Sequence, residues 1–396
     1  MKVTNKVSNV LWYLAILPFL FPFGFADYFS AYKEFRVLLL GIATIAIIAR
    51  EVYLIIANQG KMQISKPLLA ILVYHVALLI ITLCIQGNIT QGIQKIFVTP
   101  ALCFLLDEGC KKNNECIINV ICDLLIVDFV LNLFVFNQWF VPKYFLIDNH
   151  VMFIGHVQTA AEVGILGLLI AYIEYSYGVY KKKSVILALL SVSTMIYSQT
   201  AASFLGLVVI AIFLVLGNFD GIKRFINNHE YVVLIIVLLV SIVMINITKT
   251  PLYKKYGSII TTSLSGRTFI WDVGLNLFQA KPIFGYGAYG VLIKVFWSAW
   301  SKNNLGFNYA HSTILQLLLD GGVVLASIFI FTVALYVKSA DKKLKNNNIK
   351  YMSHILLLAF LSVGMVESLT EYYYIFIFLS IMLHLDEVAK IKCYRN

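Results

Sequence analysis

The run YVVLIIVLLVSIVMINIT (231–248) has the length and polarity of a bilayer span, and the segment after it decides how the chain is read. From 249 to 310 the sequence turns polar. That interruption holds SGRTFIW (265–271) and KPIFGYGAYG (281–290), and it closes on AHSTILQLLLDGG (310–322), where the chain re-enters an apolar stretch. Loops of about sixty residues are rare in compact proteins and are usually functional. This one carries Arg267 near its middle and His311 at its end, beside a membrane surface.

Outward from the loop, the chain is apolar. Hydrophobic residues make up 60% and charged residues 13%, with a mean hydropathy of +0.84. A soluble domain carries about 25% charged residues, so a soluble core is excluded. The expected fold is an all-α polytopic membrane protein, one domain over 1–396. Twelve spans fit, near 10–26, 35–56, 67–85, 93–107, 116–136, 152–176, 184–199, 200–217, 231–248, 312–337, 351–367 and 370–385. Val10–Ala26 is read as a first span rather than a removed signal peptide.

Orientation follows from lysine and arginine. With both termini cytoplasmic, twenty of the 31 basic residues fall in cytoplasmic segments. The short external connections hold four (Lys33, Arg36, Lys95, Lys143) and loop 249–310 holds seven. The net charge of +11 is therefore a topology signal and does not point to nucleic acid. The loop is expected outside the cytoplasm.

Cys84, Cys103 and Cys122 sit in or near spans, Cys110 and Cys116 flank a cytoplasmic turn, and Cys393 lies in the tail. No CxxC pair occurs, so neither a disulfide nor a metal is expected. No cofactor is expected either.

Within the loop, Ser265 or Ser263 can cap a helix running from about Arg267 to Gln279. Its apolar residues cover too much surface for a helix standing in water, so the loop is expected to pack down as a cap over the bundle. Arg267 at a helix start can grip a phosphate in bidentate fashion, although snorkelling towards lipid headgroups is the structural alternative. His311 can accept a proton at neutral pH; its structural alternative is a helix cap. GYGAYG (285–290) matches G-x-G-x-x-G, but no strand precedes it and no βαβ unit surrounds it, so its glycines are read as a turn or a close backbone approach.

His75, Asp123, Asp128, Glu162, Glu174, Glu367 and Glu371 are ionisable residues expected within spans. Asp128 and Asn132, and likewise Glu367 and Glu371, are four apart and are expected to share a helix face. His156, Gln158 and Glu162 follow from GHVQTAA (155–161) as candidates to line an external cavity. With no acidic pair near the loop to hold Mg²⁺, arginine must neutralise a phosphate leaving group.

SGRTFIW, KPIFGYGAYG and AHSTILQLLLDGG, in that order, resemble the O-antigen ligase and O-antigen/capsule polymerase superfamily, with the strong match over about 263–337. FIGHVQTAA also resembles that family's Gly-x-x-(Pro)-Asn stretch, with Val157 and Gln158 in place of the usual Pro-Asn. The resemblance implies a GT-C-like, inverting, metal-independent membrane glycosyltransferase. Its donor would be an undecaprenyl-diphosphate-linked oligosaccharide, and its acceptor a glycan hydroxyl at the outer face of a bacterial cytoplasmic membrane. Arg267 matches the arginine that binds the diphosphate, and His311 the general base. Where many members carry Ser-Arg in the span before the loop, this chain reads SQTAASFLG (198–206), so either another cation, Lys281 or Lys294, helps to hold the diphosphate or Arg267 acts alone. The expected activity is polymerisation of repeat units into capsular, exo- or O-antigen polysaccharide, beside a flippase and a chain-length regulator of the same pathway. The alternatives are an O-antigen ligase and, from another class, a lipid-linked oligosaccharide flippase or transporter.

Overall fold

The computed structural model describes residues 2–28, 30–57, 64–135, 151–178, 180–301 and 308–386. Lys143 and Cys393 lie outside them. The described residues form helices joined by turns, with a two-residue antiparallel hairpin that pairs Val151–Met152 with Gly155–His156. Six helices are long and apolar enough to cross a bilayer, or seven if the pair Ala201–Leu216 and Asp220–Asn228, bent by 120°, counts as one span. Val10–Leu20, Glu230–Ile245 and Tyr374–Leu383 are apolar but shorter. The fold is thus an all-α, multi-pass membrane protein, and six or seven of the expected twelve spans meet a length criterion.

Burial separates the helices into two classes. Tyr374–Leu383 is buried at every position and Thr159–Tyr177 at most, as befits helices surrounded by others. Ser30–Ala57 instead leaves Leu38, Ile42, Ile45 and Ile56 exposed, an apolar face that suits lipid. Residues Thr99–Val130 are all helical, yet a Cβ on Gly109 would lie 2.8 Å from the Ile117 side chain. Eight residues of straight helix would part them by about 12 Å. The chain therefore doubles back between them, where the cytoplasmic turn was expected.

The loop 249–310 is itself helical. Pro251–Ser263 starts from Thr250, whose hydroxyl accepts from Tyr253 N. Arg267–Ala280 and Ile293–Ser301 follow. Ile270, Trp271, Leu275, Ile293 and Trp297 form a small hydrophobic core with Leu315 and Leu319, so the loop packs as a cap. The serine cap expected for Arg267–Ala280 is not made. Its N-cap is Gly266, at φ 79°, and Ser265 before it is also left-handed, at φ 50°.

Helix Thr313–Lys343 is broken at Gly321 and Gly322, and the break receives the KPIFGYG segment. Val323 N donates to Pro282 O (2.9 Å) and Tyr286 N donates to Leu319 O (2.7 Å), so backbone groups freed by the break are paired by the cap. Only glycine fits there. A Cβ on Gly322, at φ 62°, would stand 2.2 Å from Ile283 O, and one on Gly285 would stand 2.5 Å from Leu319 O. The close-approach reading of the glycine motif accounts for this contact. Gly322→Ala is expected to lower the melting temperature in detergent by several degrees, since strain of this kind costs roughly 1–3 kcal/mol before the clash is counted. Gly221→Ala, with nothing within 4 Å of its Cβ, is the neutral control. Equal melting of the two variants would contradict the role given to this break.

Candidate functional site

The end of the bundle beneath the cap gathers side chains from four distant segments. His311 sits between the cap and helix Thr313–Lys343 with φ at 49°, an uncommon backbone for a non-glycine residue. Its neighbours over-determine that geometry. Ala310 N donates to Gln316 Oε1 (2.9 Å), Trp271 Nε1 donates to Ala310 O (3.0 Å), and Ser312 caps the helix through Leu315 N (3.5 Å). Thr313 ties the same turn to segment 364–369: its N–H donates to Gly364 O (2.9 Å) and its hydroxyl to Glu367 O (2.8 Å).

This docking sets the Glu367 carboxylate between the two residues that the sequence singled out. Glu367 Oε1 accepts from Arg267 Nη2 at 2.6 Å, and Oε2 lies 2.7 Å from His311 Nδ1. All three are buried. Gln158 closes the group. With its amide turned to suit the hydrogen-bond network, Oε1 accepts from Arg267 Nη2 (2.9 Å), and Nε2 faces both Glu367 Oε2 (3.2 Å) and His311 Nδ1 (3.1 Å). Aromatic rings flank the imidazole, Tyr309 at 4.5 Å and Trp297 at 5.3 Å.

The electrostatics follow from this packing. Burial pushes the His311 imidazole below the usual histidine range, against the upward pull of Glu367. Burial alone would raise the Glu367 carboxyl, but His311 and Arg267 outweigh it and hold it below the usual carboxylate range. The stable state is thus a neutral imidazole beside an ionised carboxylate. A proton on Nδ1 donated to Glu367 leaves the lone pair on Nε2, and the carboxylate stands ready to stabilise an imidazolium. Arg267 keeps a further donor: its buried Nε has no hydrogen-bond partner among the described residues.

The other sequence candidates fall in different places. Glu162 is buried one turn beyond Gln158, and its Oε2 has no partner among the described residues. His156 Nδ1 accepts from Gln158 N (3.4 Å), so the ring braces the turn that carries Gln158. Lys281 is exposed over the Tyr286 ring (4.7 Å), at the far end of a helix that starts at Arg267, about 20 Å away along its axis. Lys294 is exposed as well. At SQTAASFLG the hydroxyls of Ser198, Thr200 and Ser203 bond one another, with Ser198 to Ser203 at 2.8 Å. Glu367 and Glu371 do not share a helix face, because helix Asn347–Val363 ends before them and Leu369–Glu371 is a separate 3₁₀ turn.

Beside the triad lies a second buried network that local pattern does not reveal. Lys95 bonds Asp320 (3.1 Å) and Glu371, while Tyr289 donates to Glu371 (2.6 Å) and Gln316 to Asp320 (2.8 Å). Through Gln316 it reaches the Ala310–His311 backbone. The only sequence signal for Lys95 is its place among the few basic residues of the external connections. Among the described residues, no cluster of three or more His, Cys, Asp or Glu is arranged to hold a metal ion.

Comparison with known proteins converges on the same region. Residues 186–330 match the O-antigen ligase family. The resemblance to that family is thereby shown. A Rickettsia conorii (strain ATCC VR-613 / Malish 7) protein, whose name marks it as a candidate polysaccharide ligase, is 27% identical over 198 residues. That match covers 47% of this chain and 46% of the relative, so the chain spans about half the length of the relative it matches. The ligase-family segment contains Arg267 and His311 but stops short of Glu367, and Gln158 precedes it.

Removing one member of a buried ion pair costs about 3–5 kcal/mol, whereas replacing both with apolar groups is often near neutral. Arg267→Met and Glu367→Met are each expected to lower thermal stability in nanodiscs, and the double variant to recover most of the loss. Additive losses in such a cycle would show that the two side chains are not coupled.

Proposed function

We propose that this chain transfers a glycan from a lipid-diphosphate carrier to an acceptor hydroxyl, in the manner of the ligases of its family. The observation that carries this reading is the buried Arg267–Glu367–His311 contact: a base with its orienting carboxylate, joined to a cation that suits a phosphate. The acceptor oxygen forms a bond to the anomeric carbon as the bond from that carbon to the diphosphate oxygen breaks. The hydroxyl proton passes to His311 Nε2, and Glu367 stabilises the resulting imidazolium. Proton transfer of this kind contributes about 10²–10⁴-fold. The diphosphate departs with the negative charge, which Arg267 meets through the donors it has left.

An apolar groove supports the lipid half of the proposal. It runs between helices Glu230–Ile245, Thr313–Lys343 and Asn347–Val363, lined by Tyr231, Leu238, Phe329 and Val333. At one end it reaches Thr313, Gly364 and Leu369, next to His311 and Glu367. An isoprenoid tail lying there would deliver its diphosphate to the triad. Polymerisation differs from ligation only in the acceptor, a second lipid-linked chain instead of a surface glycolipid, and the names of the similar proteins favour ligation.

Reconstitution in proteoliposomes with an undecaprenyl-diphosphate-linked oligosaccharide tests the proposal. Transfer to a lipid A core acceptor is expected, and a ladder of lipid-linked chains would favour polymerisation instead. Arg267→Ala and His311→Ala should each abolish transfer while the protein remains in the membrane. Wild-type product from either variant would remove that residue from the reaction.

The pH profile gives a separate check. The active imidazole is neutral, so the rate should fall only as pH drops through a histidine pKa held below the usual 6.5. Glu367→Gln removes an upward pull on that pKa. It should shift the acid limb to lower pH while reducing kcat, and an unmoved limb would mean that Glu367 does not act on His311.

A further inference from the structure

A second buried cation lies along an aromatic wall that leads from His311. Arg36, near the start of helix Ser30–Ala57, is 7% exposed. Its Nε and Nη2 are buried without a hydrogen-bond partner among the described residues. Its guanidinium carbon lies 3.5 Å from the centroid of the Phe23 ring. Phe23 meets Tyr372 edge-on at 5.6 Å, Tyr372 lies against Tyr309, and Tyr309 is 4.5 Å from His311.

A buried guanidinium with spare donors is costly unless an anion answers it. Asp128 and Glu162 face the same group of tyrosines from other helices, while the side-chain partner of Arg36 is the uncharged Tyr373 hydroxyl. Phe23 roofs the Arg36 guanidinium and links it to the aromatic wall that ends at His311. Aromatic faces suit the C–H faces of sugar rings, and the planar fork of arginine suits a carboxylate or phosphate. Glu162 Oε2, beside Tyr372, offers an acceptor for sugar hydroxyls.

We infer that Arg36 and the Phe23–Tyr372–Tyr309 wall form a glycan subsite in which Arg36 binds an anionic substituent, a uronate carboxylate or a sugar phosphate, on the carried glycan. This rests on the transfer reading above and makes Arg36 a specificity-determining residue. It grips neither the diphosphate nor the reacting atoms.

The test uses the full chain in phosphatidylcholine nanodiscs. Binding is measured for bare undecaprenyl diphosphate and for the same carrier bearing glucose or glucuronic acid. The wild type should bind the glucuronate carrier about tenfold or more tighter than the glucose carrier, the scale of one or two charged hydrogen bonds. Arg36→Gln should erase that preference and leave affinity for the bare and glucose carriers unchanged; Arg36→Lys should keep part of it. No preference in the wild type, which needs no variant to observe, would overturn the subsite while the transfer reading stands. Failure to bind bare undecaprenyl diphosphate would overturn the transfer reading and the subsite with it. Loss of the preference on adding phosphatidylglycerol would assign Arg36 to lipid headgroups and overturn the subsite.

Discussion

One carboxylate, Glu367, holds the site together because each of its oxygens is committed to a different element. Oε1 faces the cap through Arg267 and Oε2 faces the membrane helix through His311. Neither contact would be stable alone at this depth. A buried arginine without a counter-charge is expensive, and a buried imidazole without an acceptor would have no preferred tautomer. Glu367 solves both at once, and its own position is copied from the backbone by the Thr313 bonds to Gly364 and Glu367. The cap, the broken helix and the 364–369 turn are therefore parts of one electrostatic unit.

The cap reaches that position through backbone as much as side chain. A broken membrane helix frees N–H and C=O groups that lipid cannot satisfy, and irregular backbone at such a place must be buried in protein. Here the glycine-rich segment after Arg267–Ala280 supplies the partners, at an approach where a Cβ on Gly285 would lie 2.5 Å from Leu319 O and one on Gly322 2.2 Å from Ile283 O. Two sequence motifs that look independent are thus the two halves of one interface.

Much of this was legible in the residues, and what was missed has a common cause. The apolar runs gave the class of fold, and the Arg267 helix and its cap followed from its apolar surface. The Ser265 cap failed because the left-handed turn at Ser265–Gly266 uses a different ending to the preceding helix. Glu367 was visible as an ionisable residue, but helical spacing tied it to Glu371. The actual geometry depends on helix Asn347–Val363 stopping before Glu367, which spacing alone does not report. Lys95 was opaque for a stronger reason: its carboxylate partners lie 225 and 276 residues away. Local periodicity says nothing about pairs so distant.

The four residues of the site are scattered along the chain, which sets the order in which they are made. Gln158, Arg267, His311 and Glu367 leave the ribosome in that sequence, each separated by at least one helix. Until segment 364–369 is in place, Arg267 of the cap lacks the carboxylate that it meets in the finished bundle. Glu367 is the last of the four to be made, and the segment shared with the ligase family, 186–330, ends before it.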